Sequence, residues 1–302
     1  MEGFVTPLVS IIVPSFNQAQ YILATLESIS SQDYGSLEVL VIDGASTDGT
    51  VEVLREYQQR DSRLRWWSRP DSGVAEAVNE GLRRARGEFA AIQSSDDVYF
   101  PGAVSAAVQA LLMNPQVGIV YSNCYPLRQD GSRYPPTAWE SYSLARLLCG
   151  RTFIMQNSAF FRLELARQVG GWRPDYFVAD VDMWLRMLEH TTALQIPGLW
   201  SGWRKHPDQR NNQSGRIHSS YTRMLQEANV VRRGPWQLRC AAAAGWRILL
   251  QEYNPNHSTW QLRWRLWQAL FIYPPSFWAI RDKATLVPGM RTLLRRLGVR
   301  AK

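Results

Sequence analysis

At 302 residues with 45% hydrophobic content, the chain can bury a sizeable core as one large domain or two small ones, which excludes a disordered protein. Its three cysteines, Cys124, Cys149 and Cys240, are odd in number and far apart, so neither a disulfide framework nor a zinc cluster is expected and a reducing cytoplasm fits. The net charge of +8 is concentrated in the tail: from Arg232 to Lys302 thirteen Lys or Arg face only Glu252 and Asp282, a net +11, so the preceding residues sum to −3.

Met1 to Pro7 has neither a basic start nor an apolar core, so no signal peptide is expected. Leu8 to Val13 reads as a nearly continuous apolar strand, and after Pro14-Ser15-Phe16-Asn17 the apolar residues Ile22, Leu26 and Ile29 recur at helical spacing. Leu37 to Ile42 is a second strand, Asp43 to Gly49 a turn, and Val51, Leu54 and Tyr57 mark a second helix. A third strand around Leu64 to Trp67 leads through Pro70-Asp71-Ser72-Gly73 into a helix carrying Val74, Ala77, Val78, Leu82 and Ala85, which Gly87 stops. Glu88 to Ile92 is then a short strand that delivers Asp96 and Asp97 just past its end.

Strands alternating with helices predict an α/β fold, a mostly parallel sheet with helices on both faces. Pro14, Asp43 and the Asp96-Asp97 doublet should therefore converge at the carboxyl edge of that sheet, where open α/β sheets bind ligands. Ser-Ser-Asp-Asp is also ordinary turn chemistry. Two adjacent carboxylates nevertheless repel each other unless a cation or hydrogen bonds offset the repulsion, and a hard divalent ion holding a diphosphate would serve. Neither GxGxxG nor GxxxxGK[ST] follows any of these strands, which argues against nicotinamide and P-loop enzymes.

These residues resemble the inverting GT-A glycosyltransferases of family 2 over roughly Pro7 to Ser214. The family's opening strand ending in Pro-Ser/Thr-Tyr/Phe-Asn is matched by Val9-Ser-Ile-Ile-Val-Pro-Ser-Phe-Asn17, and its Val-Val-Asp-Asp-Gly-Ser-Thr-Asp-Gly-Thr by Val41-Ile-Asp-Gly-Ala-Ser-Thr-Asp-Gly-Thr50. Gly73-Val-Ala-Glu-Ala-Val-Asn-Glu-Gly81, Ala85-Arg-Gly-Glu88 and Gln93-Ser-Ser-Asp-Asp97 match three further motifs. The resemblance implies a nucleotide-sugar donor, usually a UDP-sugar, and a divalent metal, Mn²⁺ or Mg²⁺. It assigns donor binding to Pro14, Phe16, Asn17, Asp43, Gly73, Asn79, Ser95 and Asp96, with Asp43 on the base. It assigns the metal to Asp97, joined by His206 of Arg204-Lys-His206. One position departs from the pattern: the second Asp of the usual pair after the second strand is Gly44 here.

In the second half, Ile154 to Arg162 reads as a strand-like run whose Gln156 and Asn157 amides could hydrogen-bond a sugar, or be two satisfied inner-strand amides. The run Phe177 to Arg186 begins a helix with Asp180 at its start. Such an Asp is commonly an N-cap; the resemblance implies instead that Asp180 is the catalytic base. Asp182 is the alternative, and Arg186 would pair with a carboxylate or with the donor phosphates; both are assigned, with Gln156, to the acceptor side. Arg210 to Ser214 reads as a polar loop able to order over a bound donor.

The expected boundary lies between a catalytic domain, residues 1–224, and a helical tail, residues 225–302. In the tail Trp260, Trp264, Trp267 and Phe271 share one helical face, with Arg263 and Arg265 off it, and Met290, Leu293, Leu294 and Leu297 form a second stripe. Such stripes pack as core or lie in a membrane interface against anionic headgroups. The longest uncharged apolar run, Leu266 to Ile280, is short for a bilayer span and holds Pro274-Pro275. The expectation is a cytoplasmic enzyme peripheral on the inner face of the membrane, acting on a glycan or polyprenyl-linked acceptor. A metal-dependent sugar nucleotidyltransferase is the alternative. A nucleic-acid-binding protein is a more distant one, and no nucleic-acid partner is expected, because no RNA-binding signature lies in the α/β body.

Overall fold

Strand β1, Val9–Ser15, is buried along almost its whole length because it has a parallel neighbour on each side and helices over both faces. The computed structural model describes residues 6–135, 140–207, 209–253, 259–280 and 286. Around β1 lie β2 (Leu37–Asp43), β3 (Leu64–Ser68) and β4 (Phe89–Ile92), each separated from the next by a helix: α1 (Ile22–Ser30), α2 (Thr50–Gln58) and α3 (Val74–Arg84). These four strands are mutually parallel and form one half of the sheet. The chain then adds β5 (Val98–Tyr99), α4 (Ala103–Met113), β6 (Val117–Leu127), α5 (Leu144–Leu148), β7 (Ala159–Arg162), α6 (Leu163–Gln168), α7 (Ala179–Met187) and β8 (Thr192–Arg204). The eight-stranded sheet has the order β3-β2-β1-β4-β7-β6-β8-β5, with antiparallel pairing only at β4/β7, β7/β6 and β8/β5.

Two contacts fix the parallel half. A methyl group built on Gly81 would overlap Ile12 Cγ2, so α3 lies directly against β1 and only glycine fits there. Glu38, buried in β2, accepts from Ser10 Oγ (2.6 Å), Arg65 Nη2 (2.6 Å), the Arg86 backbone N–H (2.6 Å) and Arg86 Nε (3.1 Å), tying four consecutive segments together. These bonds hold its carboxyl below the ordinary glutamate range against the opposing effect of burial.

The described residues form two compact units. One comprises Met1–Ala138, Ile154–Asp175 and Ala179–Pro207; the other comprises Trp139–Phe153, Tyr176–Val178 and Asp208–Lys302. The expected boundary after residue 224 falls inside α8 (Ser214–Glu227), whose Met224 and Leu225 are both buried. The second unit also takes two earlier segments that sequence continuity assigned to the first. It continues with α9 (Asn229–Arg232), α10 (Trp236–Tyr253) and α11 (Thr259–Ile272). Its core joins Ala244, Ile248, Leu266, Ala269, Ala279, Ile280 and Leu286. That core uses the opposite face of α11 from Trp260, Trp264, Trp267 and Phe271, which are 70%, 55%, 50% and 91% exposed. The stripe of Met290, Leu293, Leu294 and Leu297 lies outside the described residues. No described helix is long and apolar enough to cross a membrane.

Two local expectations are corrected. The run from Ile154 to Arg162 is not one strand: Gln156–Ser158 forms a single 3-10 turn before β7. Arg210 to Ser214 is a 3-10 turn, Arg210–Asn212, running into α8, and Arg210 Nη2 donates to the Phe177 carbonyl at 2.7 Å.

Candidate active site

The parallel strands end together, Ser15 beside Asp43 and Asp43 beside Ser68, so the loops that follow them are neighbours. Pro14 is the last residue but one of β1, and Phe16, just beyond it, is 59% exposed. Asn17 and Ala45 adopt left-handed φ values of 51° and 64°. For Ala45 this costs on the order of 1 kcal/mol, the kind of strain that gathers at functional sites. The two loops are laced together: Ser46 Oγ accepts the Asn17 N–H (2.7 Å), Asn17 Oδ1 accepts the Thr47 N–H (2.9 Å), and Asp48 Oδ2 accepts the Ala19 N–H (3.0 Å).

Several residues expected to touch ligand also make hydrogen bonds within the protein. Asp43 is fully buried, its Oδ1 accepting from Ser46 Oγ (2.5 Å) and its Oδ2 from the Ser46 N–H (2.9 Å) and Ser68 Oγ (2.6 Å). Asn79 clamps the segment before α7, donating to the Trp172 carbonyl (2.7 Å) and accepting the Trp172 N–H (2.8 Å). Gln156 donates to the Ile92 carbonyl and accepts from Ser94 Oγ (3.5 Å), bracing the end of β4. Asp182 is buried and paired with Arg186 Nη2 at 2.6 Å, while Arg186 also donates to the Val169 and Gly171 carbonyls. That pair anchors the start of α7. Gly73 precedes α3 with φ 120°, a conformation that glycine adopts without strain.

The acidic doublet divides into two environments. Asp97 is 3% exposed, with Oδ1 accepting the Arg204 N–H (2.8 Å) and Oδ2 accepting from Asn157 Nδ2 (3.1 Å). Burial, and then the charge of Asp96 next to it, push its carboxyl well above the usual carboxylate range. Asp96 is more open and meets His206, Oδ2 to Nε2, at 2.9 Å. The turn carrying both is pinned from below by the Thr25 hydroxyl, which lies 2.9 Å from the Ser95 carbonyl and 2.7 Å from that of Asp97. Ser95 itself is buried. Tyr21 packs its ring on His206, centroids 4.8 Å apart. Asp180 sits in the first turn of α7, partly exposed.

Residues 10–170 match the sequence profile of glycosyl transferase family 2, more than half of the chain. The chain belongs to glycosyl transferase family 2. Relatives of this family 2 chain include the chondroitin synthase of Pasteurella multocida, 30% identical over 185 residues that make up 61% of this chain and 19% of that protein. The O-antigen biosynthesis protein RfbC of Myxococcus xanthus is 31% identical over 195 residues, 62% of this chain and 15% of that protein. This chain therefore spans less than a quarter of the length of those relatives.

Among solved structures, Staphylococcus aureus TarS 1–349 in complex with UDP-GlcNAc superposes with a TM-score of 0.66 at 15% identity, covering 98% of this chain and 93% of that one. The mannosyltransferase PcManGT of Pyrobaculum calidifontis, in complex with GDP-Man and Mn²⁺, gives 0.66 at 22% identity, covering 98% and 85%. The sheet and helices of this family 2 chain thus have the GT-A fold. The matching family is one of glycosyl transferases, not of the nucleotidyltransferases that the sequence left open.

The donor atoms at the edge suit a divalent cation. A carboxylate oxygen and an imidazole nitrogen from separate segments face one another there, a pair compatible with Mn²⁺. Among the described residues no group of three or more His, Cys, Asp or Glu converges, so oxygens of a ligand and water would complete the shell. Sequence patterns gave no sign of Tyr21 or Thr25, which meet this turn only through tertiary packing, and Asn157, expected as a possible sugar contact, donates instead to Asp97. Arg204 was visible only as part of the motif that carries His206.

Proposed function

We propose that this glycosyltransferase binds a nucleotide diphosphate sugar with its diphosphate toward Asp96 and His206 and its base toward Phe16, and transfers the sugar with inversion to a hydroxyl acceptor. The observation that carries this reading is the Asp96 Oδ2 to His206 Nε2 approach of 2.9 Å at the carboxyl edge of the parallel strands. In this proposal the roles expected for the doublet are exchanged: Asp97, with both oxygens engaged inside the protein, shapes the turn, and Asp96 would take the metal. UDP-GlcNAc in the TarS structure, and GDP-Man with Mn²⁺ in the PcManGT structure, support a donor of this class.

Inversion requires one displacement and one base. Asp180 accepts the proton of the acceptor hydroxyl as that oxygen bonds to the anomeric carbon on the face opposite the diphosphate, whose bond to the same carbon breaks. The Asp182–Arg186 pair holds the first turns of α7 and so holds Asp180 in place. When bound, a divalent cation at Asp96 and His206 offsets the charge that collects on the leaving diphosphate.

The tail suggests where the enzyme works. An aromatic face of α11 left exposed, in a segment with net charge +11, suits an interface with anionic lipid and a glycan or polyprenyl-linked acceptor at the cytoplasmic leaflet. Polysaccharide-forming relatives support a cell-surface glycan as product.

Calorimetry with UDP, dTDP, GDP and CDP, each with Mn²⁺ and again with EDTA, tests the donor site. Binding of at least one that EDTA removes is expected; no binding by any would overturn the reading. The anomeric configuration of the product, read by NMR, tests inversion.

A further inference from the structure

The carboxylate that the resemblance places on the donor base, Asp43, is sealed inside the sheet edge, and the second Asp of the usual pair is Gly44. The region beside Gly44 nevertheless contains a carboxylate. A Cβ built on Gly44 would lie 3.2 Å from Asp71 Oδ2 and 3.2 Å from Phe16 Cδ2, so an acid and an aromatic ring flank the space that a side chain at position 44 would enter.

Asp71 arrives there from the turn between β3 and α3. Ser68 is in register with Asp43, and the Arg69 N–H donates to the Asp43 carbonyl at 3.0 Å, so the chain leaves the sheet beside residues 43 and 44. Asp71 Oδ1 accepts the Gly73 N–H at 2.8 Å, which fixes the carboxylate plane. Among the described residues no group donates to Oδ2, the oxygen that faces Gly44 and Phe16. Asp71 is partly exposed, whereas Asp43 has no exposed surface. Of the two acids, Asp71 is the one a ligand can reach.

We propose that Asp71 is the residue that reads the donor base, accepting an N–H from a base stacked on the Phe16 ring, and that Gly44 is small to leave it room. The inference rests on the nucleotide-sugar reading above and names the specificity residue of that site. A carboxylate offers only acceptors. It therefore favours bases whose pairing edge presents an N–H at the ring position, as uracil, thymine and guanine do. Cytosine, which presents a ring acceptor there, leaves two acceptors face to face, and a site built around one hydrogen bond discriminates against a ligand that cannot make it.

The test uses the full chain with Mn²⁺ and calorimetric binding of UDP, dTDP, GDP, CDP and inorganic pyrophosphate. The unaltered protein should bind its best N–H base at least about tenfold more tightly than CDP. Asp71→Ala should weaken that nucleotide by about tenfold or more while leaving pyrophosphate unchanged. Asp71→Asn, whose amide can donate to the cytosine ring nitrogen, should narrow the gap to CDP. Gly44→Asp in the Asp71→Ala chain should restore the original order by supplying a carboxylate from the other wall. Unchanged affinity and ranking in Asp71→Ala would overturn the assignment and leave the donor site standing. Failure of the unaltered chain to bind any nucleotide would instead remove the donor-site reading and this inference together.

Discussion

Asp96 and His206 meet at 2.9 Å although 110 residues separate them, the first on the turn after β4 and the second just beyond β8. Asp97, the immediate neighbour of Asp96, is turned inward. The two aspartates should therefore respond differently to substitution. Asp96→Ala is expected to leave folding intact and to weaken Mn²⁺-dependent nucleotide binding by more than about tenfold. Asp97→Ala strips partners from the Arg204 N–H and the Asn157 amide and should cost about 1–3 kcal/mol of stability in chemical denaturation. Chelator-sensitive binding that survives in Asp96→Ala and vanishes in a folded Asp97→Ala would return the metal to Asp97.

Asp180 and Asp182 lie in the same turn of α7 and should part in the same way. Asp180→Asn is expected to lower turnover by roughly 100-fold or more with donor affinity kept, because only proton removal is lost. Asp182→Ala breaks the buried pair with Arg186 and should show as a loss of about 3 kcal/mol in stability. Full turnover by Asp180→Asn would take the base role away from it.

Glu38 makes stability pH-dependent in a defined direction. Its carboxyl is held below the ordinary glutamate range, so its contribution is present above that range and disappears as pH falls through the folded value. Glu38→Gln should therefore destabilise by about 1.5–3 kcal/mol near neutral pH, with the difference shrinking below a pH of about 4.3. Urea denaturation of both proteins across pH 3 to 7, a range of roughly that width, measures it. A difference that stays constant with pH would contradict the network described here.

The exposed face of α11 predicts lipid binding that needs both rings and charge. Trp260→Ala combined with Trp264→Ala, two stacked rings with centroids 6.4 Å apart, should reduce retention on anionic vesicles by about tenfold or more. High salt should weaken retention of the unaltered chain, as screening of the tail's charge requires. Equal binding to neutral vesicles, or no effect of the double substitution, would count against the membrane role.

The sequence by itself determined the parallel half of the sheet. Val9 to Val13, Leu37 to Ile42 and the face of Val78 and Leu82 carry periodicities that only buried strands and an amphipathic helix satisfy, and the family motifs sit on those same elements. It also determined which loops would gather at one edge, because strand direction alone decides that. What it left open was which acid in each motif faces outward. Asp43, Asp97, Asn79, Gln156 and Asp182 are all polar residues in or near motif positions, and their side chains turn to partners 3 to 107 positions away in the chain. Only the packed structure decides that, because a carboxylate is either a brace or a ligand according to whether N–H groups from other segments fill its oxygens. The same holds for Asp71, which reads as an ordinary turn residue in the chain and becomes a candidate reader of the base only where the sheet brings it beside Gly44 and Phe16.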